Sequence, residues 1–160
     1  MGYRLSEDAA VDFLENADIG GTNASNEDGW VSMADYNSIY AKVKIGTWDS
    51  SDDLDECRIQ QATDSSGTSA KDLTSDESGG NYDTDSPVDA DGNTVVLEAD
   101  ASDMDADNGF SHVRLYVAEG GNTGPDNIYG TFIRYNSATK KAQKEGAASS
   151  GATVYVNTDS

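Results

Sequence analysis

Cysteine, histidine and basic residues are all scarce in this chain, and each scarcity excludes something. Cys57 is the single cysteine among 160 residues, so no intrachain disulfide can form and no zinc site can be built from several thiolates. His112 is the single histidine, so any Ser/His/Asp or Cys/His nucleophilic arrangement has to use it. It falls on the outward side of an alternating segment, next to Ser111, and reads as a surface or interface histidine. No stretch approaches the roughly 18 apolar residues of a membrane span. The opening MGYRLSEDAAVDFLEN is acidic and lacks the apolar centre of a secretion signal. Gly2 and Ser6 fit the N-myristoylation spacing, but Glu7, Asp8, Asp12 and Glu15 oppose membrane contact. There is no Gly-Lys-Ser/Thr phosphate loop and no GxGxxG.

Basic residues number 10 against 30 acids, a net charge of −20. A surface this acidic repels phosphates, which excludes direct nucleic-acid binding, and it repels anionic lipid as well. Three origins fit such a charge: calcium loading, an acidic disordered segment, or adaptation to molar salt, where the ions screen the self-repulsion and acidity keeps the protein soluble. Six lysines remain in the whole chain, with Asp, Ser, Thr, Gly and Asn broadly in their place. That composition favours the high-salt origin. Residues 49–107 hold 18 of the 30 acids, whereas the part from Asn108 onward has four acids and five bases.

A chain of this length makes one domain and buries roughly 70% of its unfolded surface. Its apolar content of 36% predicts a thin core. Strand signals dominate. SIYAKVKI sets Ile39, Ala41, Val43 and Ile45 on one face. DECRIQQAT turns Cys57 and Ile59 inward, with Glu56, Arg58 and Gln60 outward. NTVVLEA buries Val95 and Leu97. SHVRLYVAE buries Val113, Leu115 and Val117, with His112, Arg114 and Tyr116 outward. NIYGTFIRYN divides Tyr129, Thr131, Ile133 and Tyr135 from Phe132 and Arg134. GWVSM and the terminal ATVYVNT are further short strands. Six to seven short strands between Gly/Asn/Asp/Ser turns predict an all-β, antiparallel sandwich or barrel.

SEDAAVDFLEN is the one helical pattern: Ser6 caps it and Val11 and Leu14 share a face, with an extended arm as the alternative. The organisation expected is an N-terminal arm or short helix and linker over 1–27, a β core over 28–136 with an acidic loop at 74–93, and a C-terminal arm with a terminal strand over 137–160.

The chemistry most worth weighing is a metal site at Asp103, Asp105 and Asp107. An EF-hand needs Gly at position six and Glu at position twelve. DMDADNGFSHVR has Gly109 at seven and Arg114 at twelve; PVDADGNTVVLE keeps Asp89, Asp91, Gly92 and Glu98 in register but begins with Pro87. Neither stretch has flanking helices, and both run into strands, where Asn-Gly and Asp-Gly form ordinary turns. The acidic turn is therefore read as a turn, and a structural divalent cation across the three aspartates is the only cofactor the sequence offers. Carboxylate pairs alone do not make a glycosidase, and Trp30 and Trp48 read as core plugs near turns.

Three segments, DGWVSMADYNSIYAKVKIGT (Asp28 to Thr47), CRIQQATDSSGTSAKDLT (Cys57 to Thr74) and VVLEADASDMDADNGFSHVRLYVAE (Val95 to Glu119), together resemble a family of small virion proteins encoded among the head genes of tailed viruses. The specific block is QQATDSSGTSAKDLT, and the acidity matches a virus of halophilic archaea. The resemblance implies a non-enzymatic decoration or cement protein on the capsid surface of the virion, with the major capsid protein and copies of itself as partners in a homo-oligomer. Aromatic residues are enriched at contacts, which makes Tyr36, Tyr40, Tyr116, Tyr129 and Tyr135 candidate interface residues. Arg114, Arg134, Lys140 and Lys141 are candidates to meet acidic neighbours. Two alternatives stand beside this reading: a tail or neck component of the same particle, and a calcium-dependent carbohydrate-binding β-module.

Overall fold

A computed structural model describes residues 8–16, 23–25, 28–47, 54–73, 94–119 and 127–137. The strands are β1 (Ala10–Asn16), β2 (Asn23–Ser25), β3 (Val31–Ser32), β4 (Tyr36–Ile45), β5 (Leu54–Ala62), β6 (Lys71–Asp72), β7 (Thr94–Asp100), β8 (His112–Glu119) and β9 (Ile128–Ser137). They form two antiparallel sheets. The first has the order β1-β9-β4-β7; the second has the order β2-β8-β5-β6, with β3 also beside β8. The fold is an all-β sandwich.

The period-two alternation dictates which side chains meet between the sheets. From the first sheet come Ile39, Ala41, Val43 and Ile45 of β4, Val95 and Leu97 of β7, and Phe132 of β9; from the second come Cys57 and Ile59 of β5 and Val113, Leu115 and Val117 of β8. Each is 9% exposed or less. Burial pushes the Cys57 thiol up to about 12, so it stays neutral and unreactive at ordinary pH.

The N-terminal helix expected over SEDAAVDFLEN is corrected: Ala10–Asn16 is a strand, paired along its length with β9. Ala10, Asp12 and Leu14 face inward and are buried. The buried carboxylate of Asp12 interrupts the apolar alternation, leaving Val11 and Leu14 to imitate a helical face. Asp12 is held where it is by the backbone N–H groups of Phe13 (2.8 Å) and Asp28 (3.3 Å). Residues 10–25, expected as arm and linker, thus supply one strand to each sheet. The acidic loop at 74–93 and the terminal strand ATVYVNT lie outside the described residues, as do Ser6, Trp48, Lys140 and Lys141.

Candidate functional site

The segment QQATDSSGTSAKDLT leaves β5, turns, and returns as β6. The turn is closed by Thr63 and Thr68, whose backbone N–H and C=O meet at 3.0 Å. The Asp64 carboxylate accepts the N–H groups of Ser66 (2.8 Å) and Thr68 (3.1 Å). The Thr68 hydroxyl and then these N–H groups hold its carboxyl below the ordinary range. Gly67 has φ +80°, and a Cβ added there would collide with the indole of Trp30. The glycine is thus required twice, once by the backbone and once by the ring lying on it.

The two adjacent glutamines point to opposite faces of β5 and do different work. Gln61, 1% exposed, accepts from the Asp105 N–H at 2.9 Å and donates to the Asp72 carbonyl at 3.4 Å. Gln60 faces outward, accepts from Arg114 Nε at 2.9 Å and donates to Asp72 Oδ1 at 3.2 Å. One pair of residues therefore ties the loop both to the acidic turn inside and to the sheet surface outside.

On that outer surface, the cross-strand register sets Arg58 opposite Tyr116 and Gln60 opposite Arg114. The Arg114 guanidinium lies 4.6 Å from the Trp30 ring centre and 5.1 Å from that of Tyr116, and Arg58 lies 5.9 Å from Tyr116. Arg58 also bridges Glu56 and Asp72, each at 2.6 Å. The outward face of the second sheet is thus a continuous layer of stacked rings, guanidinium groups and carboxylates. Partial burial pushes the Arg114 pKa down, against a smaller rise from Tyr116; stacking on two rings offsets the lost hydration.

The acidic turn joins β7 to β8, carrying the chain from one sheet to the other through two short 3-10 turns, Ala101–Asp103 and Ala106–Asn108. Gly109, at φ +84°, ends the second. Asp103 accepts the Asp100 N–H at 2.9 Å. Asp105 accepts from the Asn108 amide at 2.7 Å and from the Lys71 ammonium, which also sits 4.2 Å from the Phe110 ring centre. The hydrogen bond from Lys71, then that from Asn108, holds the Asp105 carboxyl below the ordinary range. A shallow groove runs beside Gln61, Lys71 and residues 101–107. Among the described residues, no three His, Cys, Asp or Glu side chains converge to hold a metal ion. Asp105 is engaged by the lysine of β6.

His112 touches the Ser111 hydroxyl at 3.0 Å through Nδ1 and faces outward opposite Ala62, whereas Cys57 is buried opposite Val117. The two lie on opposite faces of the second sheet and form no dyad.

The candidate interface residues fall into different places. Tyr40, Tyr129 and Tyr135 stand on the outer face of the first sheet, with Tyr129 50% exposed. Tyr116 and Arg114 belong to the stacked layer of the second. Arg134 is corrected: it is 8% exposed and turned into the sandwich, where it donates to the Ser32 carbonyl at 2.7 Å and stacks 5.1 Å from the Tyr36 ring centre. Burial lowers its pKa, while Tyr36, Asp12 and Asp28 act in the opposite direction. Arg134 is therefore buried within the sandwich, where Asp12 and Asp28 favour its charge, and is not presented to a neighbour. Reading the sequence missed Asp12, Trp30, Gln61 and Lys71. Gln61 alone left a signal, as the inward position of a Gln-Gln pair on an alternating strand.

A scan against protein-family models, a search of curated proteins and a search of solved structures each find no match for this chain.

Proposed function

We propose that this chain is a structural virion protein that decorates or cements the head of a tailed virus adapted to high salt. In this reading it contacts the major capsid protein and copies of itself and turns over no substrate. The observation that carries the reading is the use made of the QQATDSSGTSAKDLT block, whose pattern bears the resemblance to virion proteins. Gln60, Gln61, Asp64, Gly67, Lys71 and Asp72 are all spent on bracing the body. A block built as a brace suits a small, stiff protein present in many copies. The net charge of −20 keeps such copies soluble in molar salt and makes their assembly respond to ionic strength.

Immunogold labelling of purified particles with an antibody raised against the chain tests the proposal. Label over the heads is the expected result. Label confined to the tail or neck moves the protein to that part of the particle, and unlabelled particles remove the virion role. Calcium-dependent glycan binding abolished by a chelator would shift the reading to a carbohydrate-binding module.

A further inference from the structure

We propose that the outer face of the first sheet is a self-complementary docking surface on which a second copy of this chain packs about a two-fold axis. All the large hydrophobic side chains that are exposed among the described residues stand on this one face: Phe13 at 39%, Val96 at 50% and Tyr129 at 50%. They come from β1, β7 and β9, which are far apart in the chain and are gathered by the sheet order. Single exposed apolar residues scattered over a surface need no explanation, but several gathered on one face mark a contact. Among the described residues the opposite surface of the sandwich has no such residue, and its Trp30 and Tyr116 rings lie against guanidinium groups.

Charge identifies the occupant. The register sets the outward residues in rows across the strands. Lys44 and Lys42 stand in two successive rows towards one end, and Glu98 and Asp100 stand in the next two towards the other. Both lysines are exposed, and among the described residues neither makes an ion pair. A two-fold axis running across the strands lays the lysine rows of each copy over the carboxylate rows of the other. An axis along the strands would lay lysine rows over lysine rows. The face is therefore its own complement in one orientation, as a two-fold interface requires. The partner's acidity is no obstacle at high ionic strength. The repulsion between two bodies of charge −20 is screened over about 3 Å in molar salt, while apolar burial is not weakened. Dimerisation thus rises with salt. This inference does not rest on the virion role, and failure of the particle-labelling experiment leaves it standing.

The test is sedimentation velocity on the full chain from dilute buffer to molar KCl, with the melting temperature followed by circular dichroism on each variant. The native chain is expected to pass from monomer to a discrete dimer as salt rises. Val96→Asp keeps the melting temperature of the monomer and abolishes the dimer. Lys42→Glu and Glu98→Lys each weaken dimerisation by about tenfold, and the double variant recovers most of the loss. Lys42 and Glu98 are also diagonal neighbours within one chain, and the melting temperature reads that contribution separately. A monomer at every salt overturns the proposal, because some other occupant then owns the face. So does a dimer indifferent to Val96→Asp, or a trimer, which one isologous face cannot build.

Discussion

The two sheets share one core and differ on their outer faces. The second sheet is closed by its own side chains: Trp30, Arg114, Tyr116 and Arg58 stack in sequence, Glu56 and Asp72 pair with Arg58, and Gln60 accepts from Arg114. The first sheet leaves Phe13, Val96 and Tyr129 open, with two lysines free of ion pairs among the described residues. Both outer faces alternate with inner rows that supply the shared core, so the difference does not come from the absence of a core on one side. It lies in what the neighbouring strand offers. Arg58 and Gln60 find Tyr116 and Arg114 directly opposite, whereas Lys42 finds Thr131 on one side and Val96 on the other. A side chain with a cross-strand partner is satisfied within the chain; one without is left for solvent or for another molecule.

The largest effect should come from removing what the faces share. Phe132→Ala, at a residue with 0% exposure, is expected to cost about 3–5 kcal/mol in denaturant melts in molar KCl, with both sheets lost in one transition. Gly67→Ala breaks the second sheet's closure alone. A non-glycine residue at φ +80° costs about 1–3 kcal/mol, and because the new methyl displaces Trp30, a shift in tryptophan emission should accompany the lower stability. Arg114→Ala, which uncovers two rings and strips Gln60 of its donor, should cost about 1–2 kcal/mol. Its counterpart on the open face, Tyr129→Thr, should stay within about 0.5 kcal/mol in dilute buffer. Equal losses at these two positions would remove the distinction between the faces.

The smallest effect concerns protons. The folded pKa values of Asp64 and Asp105 lie below the ordinary aspartate value of 3.8. The unfolded chain therefore takes up protons first as pH falls, and the stability these carboxylates contribute is present above 3.8 and is lost as pH drops through the lower folded values. Both groups are open to solvent in part, so the change should be slight, visible as a small fall in melting temperature between pH 5 and pH 3. Lys71→Ala should move the Asp105 titration, followed by NMR, back up towards the ordinary range and leave Asp64 unchanged.

The strands β4, β5, β7, β8 and β9 were legible because each carries a run of alternating apolar residues, and the apolar residues named as inward on β5, β7 and β8 are buried. β1 was not legible because Asp12 occupies an inward position, and an inward carboxylate has no place in a pattern of apolar and polar residues. What rescues it is the backbone N–H of Asp28, from another part of the chain. Arg134 looked like a surface base for the same reason. Its burial depends on the Ser32 carbonyl and the Tyr36 ring, both about a hundred residues away in sequence. The acidic turn was read correctly as a turn, but the lysine that engages Asp105 lies 34 residues upstream and could not be paired with it from spacing.

Composition and alternation alone established an acidic all-β chain with one buried thiol and no motif for nucleotide or multi-cysteine zinc chemistry, because these follow from residue counts and from the two-residue repeat of a strand. Only the tertiary structure decided which outer face is sealed and which is open, and which charges are buried. Those outcomes depend on strand order and register, which bring together residues such as Phe13, Val96 and Tyr129. Local sequence specifies the face of a strand on which a side chain lies, but not the strand that will lie beside it.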